Sequence, residues 1–444
     1  MQERIEKFIA QPRKALCTLA LPIIIGMIVQ VMYNIVDTAF VGRLGAEAIA
    51  ALTFSFPLFF VLISLNSGIS VGMNSRISRY LGEKDFRQAE NTAMHGLLIS
   101  LVFGTAVFIL GMIFLKQLFL LFGASNSVLI LALGYMRIIL VAIFFMFPAY
   151  VFNSIFSAQG DTKTPMKIQI TTLILNMVLD PIFIYFLGLG VKGAATATLI
   201  SFVLALILSF YFIKKKSYLK IKFSSFKYTP ALVKEIFKVG FPATLMLLLM
   251  SIYYIFINRL MAYFGVTTVA AFGIVSRLES VAVMPVVGFA IALLTLIAMF
   301  YGAKRYDLLK KITWDAIKIM LSFTIFIGFL FFLFPRMFLI LFTNQSDLLD
   351  LASNYIRVEV LVFPFIVITM VVSRALQGMG YGLPGLIINL CRLIVVALPL
   401  AYIFVYMFNY GYLSIAVATI IGGIVSSIIA VVWLELKIKK INTV

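Results

Sequence analysis

Charge is scarce in this sequence: 12% of its 444 residues are Asp, Glu, Lys or Arg, against 63% hydrophobic. Soluble domains carry about a quarter charged and about half apolar residues, so a soluble globular chain is excluded and an integral membrane protein is indicated. Histidine occurs once and cysteine twice. One histidine, His95, cannot supply a histidine-rich metal site, and at the head of the third apolar run it reads as a structural or surface residue rather than a proton relay. Cys17 and Cys391 lie in or beside apolar runs and are expected to pack as small apolar side chains. No G-x-x-x-x-G-K-S/T phosphate loop is present, so no recognisable motif points to ATP, and no H-E-x-x-H is present either. A membrane-embedded enzyme therefore lacks both nucleophile and metal motifs. The opening "MQERIEKFIAQPRKAL" reads as a charged amphipathic surface helix rather than a signal peptide.

Apolar runs are what the sequence has in abundance. Each bilayer crossing needs about 20 mostly apolar residues. The runs and their breaks predict twelve helices, starting near residues 15, 50, 93, 128, 165, 192, 236, 267, 312, 350, 384 and 412. The net charge of +19 invites a nucleic-acid reading, but its distribution opposes one. With both termini and the even-numbered links on one side, that side holds about 26 of the 36 Lys and Arg, including "KKKSYLKIKFSSFKYTPALVKE". The odd-numbered links hold Arg43, Lys116, Lys192 and Arg336. This is the positive-inside pattern, which predicts a multi-pass protein of the cell membrane with both termini cytoplasmic. The excess charge then serves topology and affinity for anionic lipid heads.

Shifted by about 220 residues, the sequence meets itself. "RLGAEAIAAL" falls on "YFGVTTVAAF", and "YLGEKDFRQAE" on "FYGAKRYDLLK", with Gly82 on Gly302 and Lys84 on Lys304. "LFGASNSVLILALGYMR" falls on "LFTNQSDLLDLASNYIR", with Tyr135 on Tyr355 and Arg137 on Arg357. Further on, "AQG" at Ala158 meets "LQG" at Leu376, and "GVKGAATAT" meets "GYLSIAVAT". Six spans per repeat is an even number, so both halves cross in the same sense, related by an axis along the membrane normal. The expected organisation is an amino-terminal lobe over 1–213, a basic cytoplasmic linker over 214–235 and a carboxy-terminal lobe over 236–444. Duplicated lobes around a central cavity are a transporter architecture.

Two carboxylates sit in the middle of apolar runs, Asp37 in "MYNIVDTAFVG" and Asp180 in "ILNMVLDPIFIYF". A charge there is expensive and marks a functional site. In the repeat register Asp37 meets Ile257, Asp180 meets Leu398 and Asn176 meets Ile394, so the acidic site belongs to the amino-terminal half alone. Asn176 and Asp180 are four apart and share a helix face, as do Gln30, Tyr33 and Asp37 at spacings of three and four. Pro181 removes a backbone N–H, frees the carbonyl of Met177 and predicts a kink, and Pro22 predicts a bend in the first span. Thr198 adds a hydroxyl and Asn153 an amide. Such oxygens suit a hard cation or a proton shared between close acids. In the second half, Arg277 and Glu279 lie inside an apolar run, but residues two apart do not share a face. Glu359 and Arg357 are expected near a span end.

Twelve spans in two parallel six-helix lobes, "LALPIIIGMIVQVMYNIVDTAFVGRLG", "AQGDTKTP", "LNMVLDPIFIYFLGLGVKGAATAT" and "VAAFGIVSRLES" resemble the multidrug and toxic compound extrusion (MATE) family over essentially the whole chain. The prokaryotic DinF-like branch, named for damage-inducible-F proteins, is the most similar. The resemblance implies an all-α integral membrane fold with a V-shaped central cavity. It implies antiport of amphipathic, often cationic drugs against H⁺ or Na⁺, with no other cofactor, by a monomer without nucleic-acid partners. It assigns Asp37 and Asp180 as coupling acids, with Tyr33, Asn176 and Thr198 completing their network and Gln30 and Asn153 lining the cavity. Other branches place acids on the seventh and tenth spans. Here the seventh has only Glu235 at its edge, which leaves Glu279 as the weak second-lobe candidate. A lipid-linked precursor flippase of the same superfamily is the alternative, disfavoured by the few basic residues within spans.

Overall fold

The computed structural model describes residues 1–124, 126–221 and 226–442. Helix is the only regular structure among them. A short amphipathic helix, α1 (Gln2–Ala10), precedes α2 (Pro12–Gly42), α3 (Ala46–Gly82), α4 (Phe86–Leu121), α5 (Asn126–Ala158), α6 (Lys163–Pro181) and α7 (Val191–Lys216). Then follow α8 (Pro230–Tyr263), α9 (Val266–Gly302), α10 (Tyr306–Leu333), the short α11 (Pro335–Leu339), α12 (Ser346–Glu359) and α13 (Phe363–Gly378). The chain ends through α14 (Gly382–Leu390), α15 (Leu398–Tyr402) and α16 (Leu413–Asn442). Some helices are joined end to end: a 3₁₀ turn at Val360–Val362 links α12 to α13, and a π-helical stretch at Cys391–Ala397 links α14 to α15. Counting joined pieces as one, twelve helices among the described residues are long and apolar enough to cross a membrane. Eleven begin one to seven residues before the expected starts, because the helices run on into polar ends that hydropathy alone assigns to links, and the twelfth begins one residue after.

Many large apolar side chains face outward on these helices, among them Ile113, Ile255, Phe326 and Ile428. In water such a surface would be prohibitive; facing lipid it is required. Cys17 is exposed on α2 and Cys391 is partly covered.

The duplication is written in the backbone. Lys84 and Lys304 both take the left-handed conformation, at φ 61° and 58°, and Gly45 and Gly265 do so at φ 107° and 113°. Each pair is 220 positions apart. The same separation holds at Gly160 and Gly380, which end α5 and α13 with left-handed turns. "AQG" therefore corresponds to a segment two residues beyond "LQG", and Gly378 is helical. At Gly188 and Asn409, both left-handed, the separation is 221. The extra residue is absorbed by the π-helical stretch, which widens the turn by one residue. Tracing back from there, the counterpart of Asp180 is Ala401 rather than Leu398, and that of Asn176 is Ala397 rather than Ile394. Both are buried and apolar.

Two compact units emerge, Ile25–Gly240 with Met1, and Gln2–Ile24 with Phe241–Val444. These boundaries differ from the expected 213 and 236. In the first unit, the part of the linker that is described (residues 222–225 are not) is fastened down. Ser217 Oγ donates to Gln159 Oε1 at 3.1 Å and the Tyr218 N–H to the same atom at 2.7 Å. The Lys220 N–H reaches Glu90 at 2.6 Å. In the second unit, Ile5 and Phe8 of α1 are buried, Arg13 pairs with Asp315 at 3.3 Å, and Ile24 fills the space a side chain at Gly288 would need.

Candidate functional site

The first unit brings together most of what the sequence singled out. On α2, Gln30, Tyr33 and Asp37 follow the predicted stripe. Gln30 Oε1 accepts from Gln169 Nε2 of α6 at 3.1 Å. That approach needs Gly26, since a Cβ there would lie 2.6 Å from Gln169 Oε1. On α6, Asn176 and Asp180 are buried, Asp180 completely, and Asn176 Nδ2 donates to Asp180 Oδ1 at 3.3 Å. Pro181 ends the α-helical ladder, and a π-helical turn over Ile182–Phe186 follows directly. Tyr185 in that turn donates its hydroxyl to the Phe40 carbonyl at 2.6 Å, tying the end of α6 to α2.

Asp37 and Asp180 lie close enough to interact with one another. A bond between two carboxyl groups exists only when one of them carries a proton. The arrangement is thus able to hold one proton between two acids, or to exchange it for a cation bridging both. Asp180 Oδ2 is buried without a protein partner, so an acceptor lone pair points into the site unanswered. Tyr33 lies beside Thr198 of α7 and close to both aspartates.

Sequence reasoning missed one member. Tyr135 on α5 faces Asp37, Asp180 and Tyr33. Its only sequence signal was its match to Tyr355 in the repeat. Gln30 binds Gln169, and Asn153 Oδ1 is buried without a partner. His95 is structural. Its Nδ1 donates to the Asn91 carbonyl at 2.8 Å while Nε2 accepts the Thr229 N–H at 2.9 Å, which fixes the tautomer.

The second unit overturns an expectation. Glu359 does not lie near a span end: the tenth span runs Ser346–Gly378 and Glu359 sits near its middle, 6% exposed. The span starts earlier than hydropathy suggests, because "SDLLDLASNYIR" continues it as a polar-faced helix. Glu359 lies one helical turn after the buried Tyr355, and its Oε2 has no hydrogen-bond partner. Glu279 is partly buried, whereas Arg277 is exposed, so the two part company as their spacing requires.

The MatE family profile matches residues 22–182 and 242–403, one match per half. A protein of Shewanella oneidensis described as an FAD transporter is 30% identical over 87% of this chain and 87% of its own length. The multidrug export protein MepA of Staphylococcus aureus is 27% identical over 84% of this chain and 81% of its own. Among solved structures, a MOP superfamily transporter from Pyrococcus furiosus superposes with a TM-score of 0.92 at 32% identity, covering 97% of each chain. Twelve spans, a duplicated six-helix plan and a family match in each half lead to one conclusion: this chain is a multi-pass membrane transporter, not an enzyme, and belongs to the MatE (multidrug and toxic compound extrusion) family.

Proposed function

We propose that the protein exports amphipathic, often cationic small molecules from the cell in exchange for H⁺ or Na⁺, with Asp37 and Asp180 as the coupling pair. The observation that carries this is the close approach of two carboxyl groups within apolar helices, with one aspartate oxygen buried without a protein partner. A pair that must hold a proton or a cation to stay buried gives each entering ion a place to bind, and the drug-loaded and ion-loaded states then compete. Tyr33, Asn176, Thr198 and Tyr135 hold the pair in register. Gln30 and Asn153 are carried as cavity candidates, and Na⁺ or H⁺ is the only ion the activity requires. The name of the staphylococcal relative supports multidrug export. The Lys and Arg distribution supports residence in the cell membrane with both termini cytoplasmic, and the protein works as a monomer.

Proteoliposomes loaded with a fluorescent cationic dye test this. An imposed inward proton or sodium gradient should drive dye movement, and movement indifferent to both gradients would overturn the coupling. The Shewanella relative favours a second reading, export of a flavin dinucleotide. FAD competing with the dye at comparable concentration would support it.

A further inference from the structure

On α3 a polar stripe advances in steps of four residues: Asn66, Ser70, Asn74 and Ser78. Residues four apart stack on one side of a helix, so the stripe is continuous over about 18 Å. It faces α5. Leu62, one turn before Asn66, packs in a cluster with Ile143 and Phe147 of α5. Ser154 Oγ of α5 donates to the Ser70 carbonyl at 2.7 Å, and Ser78 Oγ lies 3.2 Å from the Ala158 carbonyl oxygen. Toward the end of α3 the stripe is satisfied within the protein, since Ser78 Oγ also lies 3.0 Å from Asn74 Oδ1. Toward the middle of the span it is not. Asn66 is 0% exposed, and neither Nδ2 nor Oδ1 of its amide has a hydrogen-bond partner. Ser70 Oγ and, beside Ser154, Asn153 Oδ1 are likewise buried and unpartnered.

The duplication shows that this seam can pack without polar groups. Helices α3 and α9 are both 37 residues long, and the left-handed residues flanking them, Gly45 and Gly265, Lys84 and Lys304, are 220 positions apart. In that register Asn66, Ser70, Asn74 and Ser78 correspond to Val286, Ala290, Leu294 and Ala298, all apolar and at most 2% exposed. The stripe is therefore confined to the unit that carries Asp37 and Asp180. A buried amide with no partner is costly, and such groups in proteins are answered by bound water. On α7, Ser201 stands one turn past Thr198, buried and with its hydroxyl unpartnered. We propose that bound water fills the α3–α5 seam at Asn66 and Ser70. With Asn74 and Ser78 beyond it, that water forms the path by which the coupling ion passes between the aspartate pair and the face where α3 and α5 end. An amide both donates and accepts, so Asn66 can hold water in line for a proton or lend an oxygen to a cation's hydration shell. The groups of the stripe are neutral, so they pass an ion on where a carboxylate would retain it. The path rests on the coupling reading of Asp37 and Asp180; the bound water does not.

Two measurements on the full-length protein test it. A crystal structure at a resolution that places water should show water bonded to Asn66 Nδ2 and Oδ1, and none beside Val286. A dry seam, or an Asn66 amide bonded directly to protein, would overturn the proposal. Asn66→Val with Ser70→Ala then gives α3 the residues that α9 has. The bond from Ser154 survives, because it ends on the Ser70 backbone. The thermal midpoint in detergent should equal or exceed that of wild type; a clear fall would make the stripe a packing device and overturn the proposal. In proteoliposomes, gradient-driven dye movement should slow about tenfold, the effect of one lost hydrogen bond on the barrier, while equilibrium dye binding stays unchanged. Movement at the wild-type rate would overturn the path. Wild-type movement by Asp180→Asn, with water still found at Asn66, would mark failure of the coupling reading alone.

Discussion

Asp180→Asn and Asp180→Leu separate coupling from stability. Asp180 is fully buried, accepts from Asn176 and lies beside Asp37. An asparagine keeps the size, can donate its amide to Asp37 in place of the shared proton and still accepts from Asn176. The net change in hydrogen bonding is expected to be within about 1 kcal/mol. Leucine keeps the volume but strands two partners, Asn176 Nδ2 and the Asp37 carboxyl. At about 1–3 kcal/mol for each buried unsatisfied group, and more for a charged one, the cost is about 2–6 kcal/mol. The two variants should therefore diverge in folding yet agree in transport. Asp180→Asn should purify as a monodisperse protein with a near wild-type thermal midpoint, while Asp180→Leu should show a clear drop. Both should fall to protein-free background in gradient-driven dye movement, because neither side chain can bind and release a proton. Wild-type dye movement by Asp180→Asn would refute the coupling role. Collapse of Asp180→Asn to the level of the leucine variant would reduce Asp180 to a structural residue.

Asp37→Asn should likewise abolish gradient-driven movement while the protein stays folded, whereas Glu279→Gln should act more mildly; complete loss there would draw the second unit into transport. Thr198→Val, which takes a hydroxyl from beside Tyr33, should slow dye movement without ending it, at a stability cost of about 1 kcal/mol. His95→Ala removes the acceptor of the Thr229 N–H and the ring beside Phe226 and Tyr228. A local loss of about 2 kcal/mol makes opening about 30-fold more frequent, so trypsin should cut at Lys220 or Lys227 correspondingly faster, and an unchanged cleavage rate would show that other contacts hold the segment. Gly72→Leu should prevent folding, since a Cβ there would lie 2.2 Å from the Ile236 carbonyl oxygen, a backbone atom that cannot step aside.

What could be read from the sequence was whatever repeats within one helix. The stripe of Tyr33 and Asp37 and the pair Asn176 and Asp180 depend on spacing along a single segment, and the structure keeps both. Contacts between helices were legible only where chemistry forced them: two buried carboxyls need a common proton or ion. Tyr135 was invisible because nothing on α5 itself marks which face meets α2 and α6. Glu359 was misplaced because "SDLLDLASNYIR" is too polar to register as part of a span, although it packs its apolar side inward through Leu348, Ala352 and Ile356. The three-residue register slip around Leu398 came from matching "AQG" two residues early and from one inserted residue that a π-helical stretch hides without any gap in hydropathy. The linker read as a basic cytoplasmic connection because lysines dominate its composition. Its attachment runs through backbone N–H groups, which composition does not report.

The paired helices α3 and α9 have 37 residues each. At 1.5 Å per residue each is about 55 Å long, whereas the hydrocarbon core is about 30 Å thick. Even allowing for tilt, a large part of each rod lies outside the oily layer, and the turns that follow, at Glu83–Asp85 and Ala303–Arg305, stand in water. Each unit therefore carries a long helix with a hydrophilic tip, held by continuous backbone to its own span. A spectroscopic label or an antibody fragment fixed at either tip would report the tilt of its own six-helix unit directly. The sequence supplies such handles ready-made, in corresponding places in each half.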